Sequence, residues 1–62
     1  MFTTFHVEDS VKTKNTIPEL ELQKGSIGVI RSIWSQDAYE VEFIEPHIRG
    51  LILAEQLEQL YG

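Results

Sequence analysis

Cysteine is missing from the 62 residues. Neither a disulfide framework nor a thiolate metal site can be built. Cationic side chains are scarce: five Lys and Arg stand against ten Asp and Glu, a net charge of −5. They fall at positions 12, 14, 24, 31 and 49 and form no basic stripe. Phosphate backbones are held chiefly by Lys and Arg, so the composition argues against a nucleic-acid-binding role. Anionic membrane surfaces are disfavoured on the same ground. Long apolar runs are missing too. The longest, Leu51-Ile52-Leu53-Ala54, falls far short of the ~20 residues a membrane helix needs. The start, Met1 to His6, has neither the positive nor the apolar region of a secretion signal. A cytoplasmic protein is expected.

The sequence also lacks the motifs of common chemistries. There is no Gly-rich phosphate loop, no nucleophile elbow and no metalloprotease helix motif. Gly25-Ser26-Ile27-Gly28 signals a turn, with no Lys following it. A chain this short cannot form a doubly wound sheet or a TIM barrel. It buries only ~60% of its unfolded surface, so nearly every apolar residue is needed for one small domain spanning 1–62. His6 and His47 are the only imidazoles, and both are expected as exposed loop or terminal residues. No catalytic residue, metal or cofactor is expected.

What is present reads as β structure. Pro18, Gly25, Gly28, Pro46 and Gly50 punctuate short apolar runs, the pattern of an all-β domain with short strands. Val11-Lys12-Thr13 is strand-like. Residues 14–24 are irregular around Pro18, which is excluded from a central strand. They predict a long loop pinned to the core by Ile17, Leu20 and Leu22. Ser26 to Trp34 is rich in β-branched and aromatic residues. Apolar residues on both its faces mean either two-sided burial or a bulge, expected at Gly28. Ala38-Tyr39-Glu40-Val41-Glu42-Phe43 alternates cleanly, with Tyr39, Val41 and Phe43 to one side and the two glutamates to the other. This predicts a half-buried, edge-like strand with an acidic outer face. A loop at 45–50 and a short strand led by Gly50 and ending at Leu53 follow. Two readings stand for 54–61: a short helix, or a helical turn near 54–57 and a closing strand.

The order of these pieces resembles domain-of-unknown-function family 4926, a group of small bacterial proteins. Three elements carry the resemblance: Ile17-Pro18-Glu19, Gly25-Ser26-Ile27-Gly28-Val29-Ile30 and Tyr39-Glu40-Val41-Glu42-Phe43. Ser26 stands where the family usually has Asp, and Val29 where it usually has Thr. The resemblance covers about residues 5 to 60. It implies a small five-stranded Src-homology-3-like barrel and no established activity. The Gly25 to Ile30 pattern is also similar to small barrels that dock ferredoxin in electron-transfer complexes and to ribosomal barrels that touch RNA. Those likenesses exist only at the level of fold.

The expected function is therefore a non-catalytic protein-interaction module. It would dock a basic partner through an aromatic and acidic face made of Trp34, Tyr39, Glu40, Glu42 and Glu45. An accessory or antitoxin-like small protein is one setting. A docking subunit of an electron-transfer complex and a nucleic-acid-binding barrel are the alternatives, the last opposed by the acidic balance. Trp34 reads equally as a core residue or an exposed anchor. Phe2, Phe5 and Tyr61 raise the same question at the termini. Monomer and homo-oligomer both stand open.

Overall fold

A computed structural model describes residues 5–60. Five strands form one antiparallel sheet: β1 (Ser10–Thr13), β2 (Ile27–Ser35), β3 (Ala38–Phe43), β4 (Arg49–Leu53) and β5 (Leu57–Gln59). Two 3-10 turns, Pro18–Leu20 and Ala54–Gln56, are the only helical pieces among the described residues. The sheet order is β4-β3-β2-β1-β5. The four strands β1 to β4 follow each other as a meander, and β5 returns to the far side of β1. This all-β arrangement is the small barrel-like fold expected from the sequence.

The core follows from period-two alternation. Val11 and Thr13 of β1, Tyr39, Val41 and Phe43 of β3, and Ile52 of β4 turn inward. Phe5, Ile17, Leu22, Ile30 and Leu57 complete one apolar cluster. Each fully buried side chain of this size contributes roughly 1.5–3 kcal/mol of transfer free energy. The Phe5 and Tyr39 rings meet edge to face, with centroids 5.5 Å apart, an arrangement that suits the ring quadrupoles. Phe5 is therefore a core residue, whereas Phe2 and Tyr61 lie outside the described residues.

The long loop is ordered, as expected, and its anchors are identifiable. Ile17 and Leu22 exchange two backbone bonds at 2.8 and 3.0 Å and are both buried. Leu20 packs against the core from the 3-10 turn between them. The buried Thr13 hydroxyl accepts from the Gly25 and Ser26 N–H groups and donates to the Gln23 carbonyl. Gly25 has φ +88°, a conformation that suits glycine. The C-terminal part follows the second of the two readings: a 3-10 turn at Ala54–Gln56, then β5. The part of that expected closing strand at Tyr61 lies outside the described residues.

Three expectations are corrected. No bulge lies at Gly28, which pairs in register with Val11 and Phe43. The register shifts between Ile30 and Ser32 and again between Ile33 and Ser35, so Arg31 and Trp34 are the extra residues. Glycine occupies position 28 because there is no room for a side chain: a Cβ there would stand 2.7 Å from Val41 Cγ1. Next, β3 is not an edge strand, since β2 and β4 flank it. Alternation reports one wet face and is silent about lateral neighbours. Finally, Tyr39 is 2% exposed and cannot serve as a surface aromatic.

Candidate functional site

The five candidate residues do not converge. Tyr39 lies in the core, where its side chain shares the inward face with Val41 and Phe43. Its hydroxyl lies 3.4 Å from both the Phe5 amide nitrogen and the Gln36 carbonyl. Trp34 is 68% exposed, near the hairpin end of β2. Glu45 follows β3 at its other end, roughly 20 Å away by the rise of an extended strand. Its loop contains a cis Glu45–Pro46 peptide.

Glu40 and Glu42 do share the outer face of β3, but neither is a free charge. Arg49 Nε lies 3.2 Å from Glu40 Oε2. Arg31 Nε donates to Glu42 Oε1 at 2.9 Å, and its Nη1 reaches Glu8 at 3.2 Å. His47 Nε2 lies 2.7 Å from Glu42 Oε2. The bulge residue Arg31 thus serves two carboxylates from different segments. These contacts hold the Glu42 carboxyl at about 2, below its ordinary 4.5, His47 first and Arg31 second. The same pairing raises the Arg31 guanidinium, through its bond to Glu42 above all. Both groups lie at the surface, where such pairs are worth little in stability. What they change is the potential: the outer face of β3 is internally neutralised.

His6 and His47 are exposed as expected, each beside a different carboxylate, Asp9 and Glu42 respectively. No group of three or more His, Asp or Glu among the described residues could hold a metal. An open groove of about 370 Å3 runs between Gly25, Ile27 and Ile44, with Lys24 and Glu45 on its walls. It lies at the opposite end of β2 from Trp34.

The unpredicted feature is an apolar pair at the hairpin end: Leu51 is 55% exposed and Leu53 47%, whereas Ile33, 48% exposed, lies opposite the inward-facing Tyr39. Register places Leu53 beside Ala38, which itself faces Ser35, the neighbour of Trp34. Leu51 lies one step along, beside Glu40. The run Leu51 to Ala54 carries the signal, but its hydrophobicity suggests burial. Only the inward-facing Ile52 fixes Leu51 and Leu53 as outward.

No helix among the described residues is long and apolar enough to cross a membrane. Comparison with protein-family models, curated proteins and solved structures gives no match for this chain.

Proposed function

We propose that this protein is a non-catalytic interaction module that docks a protein partner through the hairpin end of its sheet. The exposed side chain of Trp34 carries the reading. A chain short of apolar mass gains nothing for its own core by leaving its single tryptophan in water, whereas tryptophan anchors binding surfaces. Leu51 and Leu53 extend the apolar area, and Glu40 and Glu42, held by arginines, form its polar rim. Glu45 stands apart from this surface. A cytoplasmic setting, in an accessory or antitoxin-like role, fits the composition. So does membership of the family resembled by the Ile17-Pro18-Glu19 and Tyr39 to Phe43 elements.

The test is affinity capture from the native lysate with the tagged protein and its Trp34→Ser variant. The exposed position means that Trp34→Ser leaves the fold and melting temperature unchanged. One stoichiometric partner, captured by the native chain and lost by the variant, is the expected result. Equal capture by both proteins would overturn the assignment.

A further inference from the structure

β4 lies at one end of the sheet order, so one side of its backbone has no strand of the described residues beside it. Antiparallel ladders alternate between residue pairs that bond each other and pairs whose N–H and C=O groups point away. Phe43 N–H donates to the Ile48 carbonyl, and Ala54 N–H to the Asp37 carbonyl, both at 2.7 Å. Between those anchors the register pairs Val41 with Gly50 and Tyr39 with Ile52, so these rows bond inward. Arg49, Leu51 and Leu53 therefore turn their backbone groups to the open side. The Leu53 N–H is taken by Gln56 Oε1 at 3.1 Å, which closes the edge at that end. The Leu51 N–H and C=O find no turn, loop or side-chain partner among the described residues. Edge strands are usually blunted by charged side chains, Pro or a bulge. The one charge of Arg49-Gly50-Leu51-Ile52-Leu53, Arg49, is drawn back onto Glu40 of β3; the strand has no Pro, and its pairing with β3 is regular.

The surrounding charge selects the occupant. Arg49 is committed to Glu40. Asp37 adjoins the end of β4 through the bond to Ala54, and Glu55 follows in the 3-10 turn. Glu19 and Glu21 flank Leu20, whose Cδ1 would stand 2.7 Å from a Cβ at Gly50. None of these four carboxylates has an ion-pair partner among the described residues. We propose that the open edge of β4 takes up an extended segment of the partner, bearing Lys or Arg, as an added strand. Backbone bonds to Leu51 and its neighbours set the register, as in other strand additions. Alternate apolar side chains of the segment pack on Leu51 and Leu53, and its cations meet Glu19, Glu21, Asp37 and Glu55. A second copy of this chain would instead bring the same carboxylates together. The proposal rests on the interaction-module reading and names the chemistry of its partner.

A chain of this length is within reach of chemical synthesis, so Leu51 can be N-methylated. That change removes the outward N–H and leaves the β3–β4 ladder and the leucine side chain intact. The probe is a heptapeptide alternating lysine and valine, with a glutamate–valine heptapeptide as control, followed by amide-resolved NMR near physiological ionic strength. The lysine peptide is expected to shift the Arg49 to Leu53 amides and to slow exchange at Leu51. N-methylation should weaken it by about tenfold or more, the scale of one lost ladder bond plus a steric clash. Leu51→Lys, which keeps the N–H and adds a cation, should weaken it as well. Binding mapped elsewhere, binding indifferent to N-methylation, no binding, or a homodimer dissolved by N-methylation would each overturn the proposal. Failure here with Trp34-dependent capture intact overturns the edge alone; failure of both overturns the module reading.

Discussion

Arg31 shows how much a single residue organises. As an inserted residue in β2 it escapes strict alternation, and its guanidinium spans Glu8 and Glu42. With His47 on its other oxygen, Glu42 is a carboxylate bonded from two sides. Its depressed pKa fixes the sign of a pH effect. In the unfolded chain Glu42 titrates near its ordinary 4.5, and in the folded chain at about 2. Its stabilising contribution is full above the unfolded value and disappears as pH falls from about 4.5 to about 2. Glu42→Gln has no such titration. Melting temperatures measured across that window should therefore fall less steeply for the variant than for the native chain. Parallel curves would show that Glu42 is not held in this way.

At the scale of elements, strand positions were legible because alternation and β-branched content are local. Ala38 to Phe43 emerges as β3 with the bounds that its pattern suggests. The inward set of that strand was legible as well, and it already argued against Tyr39 as a surface residue. A bulge in β2 was legible, but not that there are two or where they fall, because that depends on how nine residues of β2 match six of β3. The ion pairs that neutralise Glu40 and Glu42 depend on register and were hidden for the same reason. Trp34 could be placed on the surface only once its bulge was seen. The glycines separate two kinds of crowding that sequence cannot distinguish. At Gly28 an added Cβ meets the Glu42 carbonyl oxygen at 2.9 Å as well as Val41, and the ladder cannot yield. Gly28→Ala should cost about 1–3 kcal/mol, as overpacking does. At Gly50 the obstacle is the end of the Leu20 side chain, which can rotate aside on the half-buried loop. Gly50→Ala should cost clearly less. Urea midpoints of the two variants decide the order, and equal losses would contradict it.

For the whole molecule, the separation of core from surface makes the lone tryptophan a reporter of docking rather than of folding. Trp34 is already 68% exposed in the folded chain. Its emission maximum should lie close to that of a solvated indole and shift little on unfolding in urea, while far-ultraviolet circular dichroism shows a clear transition. A blue-shifted emission in dilute native protein would mean that something covers Trp34, a second copy being the first candidate to check by sedimentation. The sheet also imposes an order in time. β1 lies between β2 and β5, yet β5 is the last of the five strands to be synthesised. A nascent chain that has made four strands still leaves one side of β1 unpaired and lacks Leu57, a buried member of the core. Long-range pairings of this kind are slow to form. The growing chain therefore completes its sheet only after residues 57–59 have left the ribosome. Until then β1 stands as the second edge beside β4, an opening to mispairing that the finished sheet hands to the three-residue β5.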